Sequence, residues 1–146
     1  MNPDRLLTRA YKLINLYNST QKKPHTYSGG LVLYPAQAHM LEIIGNAEGT
    51  DQSEIAAEYL ITKGAVSQIV SFLCDKGLVV KKPSGTGGRT TGLFLSDEGR
   101  RIREEHRELH REMVEKVSAM MERIPPDTLD ILSGVADIIE ENIINL

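Results

Sequence analysis

Four histidines are the side chains of this sequence most obviously equipped for chemistry: His25, His39, His106 and His110. His106 and His110 stand four apart, so in a helix their imidazoles share one face. Neutral imidazole suits Zn²⁺ and similar divalent transition metals, which close a tetrahedral site with three or four such donors. Taken alone, the pair is more economically read as decoration of a helix, with His106 half-buried near Ile102 and Leu109. A zinc hydrolase is excluded by spacing. His106-Arg107-Glu108-Leu109-His110 has arginine where HExxH needs its general base, and the acid falls one position late. There is no nucleophile elbow, phosphate loop or catalytic triad, so the expectation is a non-enzyme that requires no cofactor. The single cysteine, Cys74, permits no internal disulfide and fits a reducing cytoplasm. It reads as a small buried apolar residue rather than a reactive thiol.

The second set of candidates is polar and closely spaced: Thr62, Lys63, Gly64, Ser67, Gln68 and Ser71. Asp51-Gln52-Ser53-Glu54 reads as an N-cap with its capping-box acid, opening a short helix that buries Ile55, Ala56 and Tyr59. After the turn Leu60-Ile61-Thr62, Thr62 caps a helix running from Lys63 to about Lys76. That helix buries Val66, Ile69, Val70 and Leu73, and Gly77 ends it. Two short helices, a tight turn and small polar residues opening the second helix form a helix-turn-helix pattern. Residues 78–82 and 90–95 then read as two strands around a glycine-rich tip, a β-hairpin in the place of a wing.

The flanks are helical. Leu6, Leu7, Ala10, Leu13, Ile14 and Tyr17 give an amphipathic helix over 4–20, and residues 22–34 read as a loop. Pro35 opens a second helix to about Asn46, carrying His39 just ahead of its apolar run. Ser96 caps a long fifth helix, Pro125-Pro126 breaks it, and a sixth follows. The fold class is therefore mainly α with a small β-hairpin wing. Residues 35–101 form the winged helix-turn-helix. Residues 1–34 and 102–146 form a helical region of the same intertwined domain, whose wide apolar faces are most simply covered in a twofold homodimer.

Composition agrees with a globular protein: 40% apolar and 25% charged residues, and no apolar run long enough to span a bilayer. The net charge of −3 is unevenly spread: −1 over residues 1–61, +4 over 62–101 and −6 over 102–146. A basic middle between acidic ends directs only the middle toward a polyanion. Lys81, Lys82 and Arg89 would supply phosphate contacts, and Gln68 could read adenine bidentately.

The segments TKGAVSQ (62–68), DKGLV (75–79) and LSDEGRR (95–101), in this order of elements, resemble the MarR family of winged helix-turn-helix regulators. The resemblance implies a cytoplasmic homodimer that binds a pseudo-palindromic double-stranded DNA operator, usually as a repressor, with affinity set by a ligand. Leu60 stands where the family's turn often has Gly, and Gly87-Gly88-Arg89 where its wing tip often has Asp-Arg-Arg. The zinc-sensing branch places a His in the second helix and an HxxxH pair early in the fifth, which His39, His106 and His110 repeat. Its fourth ligand is a Glu in the loop before the second helix. Gln21 falls near that place by spacing, and His25 is a candidate substitute. The alternative effector is a small phenol or organic acid, with Tyr27 and Tyr34 as candidate pocket residues. A further alternative is a winged helix that binds proteins and no operator.

Overall fold

The computed structural model describes residues 3–84 and 90–144. Its elements in chain order are α1 (Pro3–Thr20), β1 (His25–Thr26), β2 (Val32–Leu33), α2 (Pro35–Asn46), α3 (Gln52–Glu58), α4 (Lys63–Asp75), β3 (Val79–Ser84), β4 (Thr90–Leu95), α5 (Asp97–Met121) and α6 (Pro126–Ile144). The architecture is mainly helical with an antiparallel β3–β4 hairpin, as the sequence pattern predicts. By packing, the chain divides into two compact units, residues 1–106 and 107–146.

Local chemistry sets the boundaries in the first unit. Pro35 occupies the first turn of α2, where no N–H is needed, and the Gln37 side chain accepts from the Tyr34 N–H at 2.8 Å. Asp51 accepts from the N–H groups of Ser53 and Glu54, while Glu54 accepts in return from the Asp51 N–H, so both orphan donors at the start of α3 are met. Gly77, at φ +72°, lets the chain leave α4 in the left-handed conformation. The core joins Leu41 and Ile44 of α2, Ile55 of α3, Val66, Val70 and Leu73 of α4, Leu93 and Leu95 of β4, and Ile102 of α5.

Three details depart from the sequence reading. Residues 22–34 are not featureless: β1 pairs with β2, matching His25 with Leu33, around a 3-10 turn at Ser28–Gly30. This hairpin sends Tyr27 and Leu33 into the core. Tyr59 is 44% exposed rather than buried. It ends α3 just before Leu60, which takes φ +53° and turns the chain sharply into the α4 cap. Ile69, expected in the core of α4, only packs against its edge.

The second unit contains the remainder of α5 and α6. Pro125 and Pro126 separate the two helices, with the Pro125 carbonyl accepting from the N–H groups of Thr128 and Leu129. Its apolar side chains Leu109, Met113, Val117, Met120, Ile131 and Ile138 stand exposed.

Candidate nucleic-acid interface and histidine cluster

Helix α4 has two chemically opposite faces. Val66, Val70 and Leu73 are fully buried, which fixes the helix rotation. Lys63, Gly64, Ser67, Gln68 and Ser71 consequently all face solvent. The Thr62 hydroxyl accepts from the Ala65 N–H at 3.2 Å, so it serves as the cap. At Gly64 an added Cβ would meet nothing within 4 Å. The described fold therefore gives no packing reason for a glycine there.

The wing is braced onto this helix-turn-helix from the α2–α3 linker. The Gly49 N–H donates to Leu93 O, and the Leu93 N–H donates to Thr50 O, both at 2.8 Å. Glu48 accepts from the Leu95 N–H at 3.1 Å and from the Arg100 guanidinium. Lys81 and Lys82 are exposed on β3 and, as neighbours in a strand, point to opposite faces. The Lys82 ammonium lies 5.5 Å from the centre of the Phe94 ring. Arg89 lies outside the described residues.

Of the histidines, the fold brings His39 and His106 together. Their ring centres are 5.4 Å apart and the planes are inclined by 67°. His106 is buried, and its Nδ1 is hydrogen-bonded to the Tyr27 hydroxyl at 2.8 Å. His25 is exposed, its ring edge-on to Tyr27 at 4.8 Å. His110 is exposed in the second unit. Among the described residues, no three His, Cys, Asp or Glu side chains converge as a metal cage. The donor chemistry of the His39–His106 pair does fit a transition metal. Two imidazoles on one tetrahedral zinc, with Zn–N of about 2.0–2.1 Å, put their ring centres about 5 Å apart.

A clasp that the sequence gave no direct sign of holds the β1–β2 turn to α5. Glu105 accepts from the Ser28 N–H at 2.9 Å and from the Ser28 hydroxyl at 2.6 Å, and Arg101 also donates to that hydroxyl. The Ser28 hydroxyl bond is the leading reason the Glu105 carboxyl is held below the usual carboxylate range. Burial, aided by the Glu105 charge, pushes the Tyr27 phenol up, which keeps it protonated. Burial likewise pushes up the Cys74 thiol. On the neighbouring face, Arg103 of α5 bonds Glu42 and Asn46 of α2, and its guanidinium fills the space a Cβ at Gly45 would need.

A cleft of about 480 Å³ opens between α1, α2 and the helix-turn-helix, its walls including Tyr17, Gln21, His39, Tyr59, Ile61 and Ile69. Gln21 and His39, linked in the sequence only by spacing, thus line one cavity. Tyr27 is buried in the core and Tyr34 sits half-exposed at the start of α2, and neither belongs to this wall.

Residues 33–90 match the family model described as the MarR family. The chain carries a MarR-family segment. No curated protein sequence matches the chain. Solved structures share its fold at low identity. Streptococcus pneumoniae FabT in complex with DNA is 19% identical, with a TM-score of 0.64 over 97% of this chain and 95% of that one. The adhesin competence repressor AdcR from Streptococcus pyogenes is 17% identical, with a TM-score of 0.69 over 98% of each. Lactococcus lactis ZitR, a zinc-responsive MarR family member, is 15% identical, with a TM-score of 0.65 over 96% and 97%. The MarR-type segment holds α2, α3, α4 and β3, hence the whole exposed face of α4, but not the α5 histidines.

Proposed function

We propose that the protein is a MarR-type transcriptional regulator that binds double-stranded DNA as a homodimer, acts as a repressor, and is switched by an effector. The reading rests on α4. A helix with one face locked in the core and the other composed of Lys63, Gly64, Ser67, Gln68 and Ser71 suits a major groove, where a recognition helix offers its first turns to base edges. Gly64 allows close approach, Gln68 is the reader of sequence, and Lys81, Lys82 and Arg89 add phosphate charge. The exposed apolar side chains of the second unit call for a covering surface, and a second copy gives the twofold symmetry that a pseudo-palindromic operator matches.

The test is footprinting on the promoter beside its own gene, followed by two substitutions. Gln68→Ala should cost about 1–3 kcal/mol at one base position while leaving binding to random DNA unchanged. Gly64→Ala should keep or raise the melting temperature yet weaken operator binding. Equal losses on specific and random DNA would remove Gln68 as a reader. A chain that captures protein partners and protects no DNA would be a protein-interaction module instead.

For the effector we favour a divalent transition metal such as zinc, held by His39 and His106 and completed from His110, His25 or Gln21. The bound ion would supply a rigid link between α2 and α5, the route by which a ligand sets operator affinity. The second reading, a small phenol or organic acid, is supported by the cleft, whose wall includes the Tyr17 and Tyr59 phenols and Ile69 of α4 itself. Zinc titration followed by operator affinity separates the two.

A further inference from the structure

The Tyr27–His106 hydrogen bond joins residues 79 apart in sequence, and Tyr27 is only 3% exposed. The phenol oxygen lies 2.8 Å from Nδ1 of His106, so that nitrogen is committed to the protein. A cation meeting this ring therefore has to meet Nε2. We propose that Tyr27 is a positioning residue that fixes the orientation of the His106 imidazole and selects Nε2 as its metal-facing nitrogen. The inference rests on the metal reading given above, and it concerns a side chain that would not itself touch the ion.

Three observations converge on this role. First, the tyrosine cannot easily turn away. It packs in the core with Leu33, and its own N–H donates to Leu31 O at 2.7 Å, closing the β1–β2 turn. Second, the turn is tied to the helix that carries His106. Glu105 grips Ser28 with both carboxylate oxygens, at 2.9 and 2.6 Å, and Arg101 adds a further bond to that hydroxyl. The phenol and the imidazole are thus held in register by the neighbouring residues of each. Third, the ring that Tyr27 aligns is the one inclined against His39 at 5.4 Å. A histidine ligand whose other ring nitrogen is hydrogen-bonded is fixed in both tautomer and rotation, and losing such a partner typically costs 10–100-fold in metal affinity.

The bond also makes a statement about the metal-free chain. Burial keeps Tyr27 a phenol, so its O–H can donate to Nδ1. A neutral His106 accepting there carries its proton on Nε2. Loading an ion on Nε2 requires that proton to leave and one to be taken up at Nδ1, with the phenol turning from donor to acceptor. The ring holds one proton before and after. The phenol can play both parts, and a phenylalanine can play neither.

The experiment uses the full chain and long-range ¹⁵N–¹H spectra of the imidazoles, first without metal and then with zinc, for wild type and Tyr27→Phe. The variant retains the ring, and circular dichroism checks that it is folded. In metal-free wild type, His106 should be one fixed tautomer with Nδ1 of pyridine type. In Tyr27→Phe it should become a tautomer mixture. On zinc addition, the wild-type Nε2 of His106 should take the coordination shift, and Tyr27→Phe should bind at least tenfold more weakly. Identical metal-free spectra in the two proteins would overturn the positioning role. So would equal zinc affinity, or a coordination shift at Nδ1. If zinc moved neither the His39 nor the His106 resonances of wild type, the metal reading itself would fall, and the metal-free spectra would report that separately.

Discussion

Replacing Gly99 with alanine sets helix propensity against packing. Gly99 lies in the first turn of α5, inside LSDEGRR, and alanine is the better helix former by up to about 1 kcal/mol. Propensity alone therefore predicts a stabilised protein. The structure predicts the reverse. A Cβ at Gly99 would lie 3.0 Å from the Leu78 carbonyl carbon and would overlap the oxygen. Carbon–carbon contact is comfortable at about 3.5–4.0 Å, so α5 must retreat by at least about half an ångström. That movement strains the junction of β3 and α5. There the Ser96 N–H donates to Leu78 O at 3.0 Å, the Ser96 hydroxyl donates to Gly77 O at 2.6 Å, and the Gly99 N–H donates to the Ser96 hydroxyl at 2.9 Å. Overpacking costs about 1–3 kcal/mol, and each weakened hydrogen bond about 0.5–1.5 kcal/mol. Less the propensity gain, the net loss should be about 2–3 kcal/mol. For a chain of this length that is a fall of about 5–10 °C in melting temperature, read at fixed protein concentration because a dimer's Tm depends on it. Gly64→Ala is the control, since the new Cβ meets nothing there. A Gly99→Ala protein that melts at or above wild type would refute the steric argument.

Two further substitutions test the turn and the clasp. Leu60 is 68% exposed at φ +53°, a conformation costing a non-glycine residue about 1–2 kcal/mol, so Leu60→Gly should raise the urea midpoint by an amount worth up to about 1 kcal/mol once the added freedom of the unfolded chain is subtracted. A lowered midpoint would mean that the leucine side chain stabilises the turn by contact. The Glu105 carboxyl titrates below its ordinary value in the folded chain, chiefly through Ser28, so it favours folding above the unfolded carboxyl's pKa and loses that effect as pH falls through the folded one. Glu105→Gln should accordingly be less stable than wild type at neutral pH, and the gap should close in acid below about pH 4. A gap of constant size across that range would assign the loss to geometry rather than charge.

What the sequence determined by itself is local. Asp51 with Glu54, Thr62 before Lys63, Gly77, Pro35 and the Pro125-Pro126 break act on backbone groups within a few residues, so their types and spacing announce the helix ends directly. The burial of Val66, Val70 and Leu73 followed from the 3.6-residue period, and with it the exposed face from Lys63 to Ser71. The period says which face is buried but not how deeply the last residue sits, and so Tyr59 and Ile69 were misjudged. The tertiary structure alone decided the long-range pairs. Tyr27 meets His106, Ser28 meets Glu105, and Glu42 meets Arg103 across 61 to 79 residues of chain. No local rule relates such positions. Each contact exists because the core packs α2, the β1–β2 hairpin and α5 together, and that packing is a property of surfaces meeting in space rather than of neighbours in sequence.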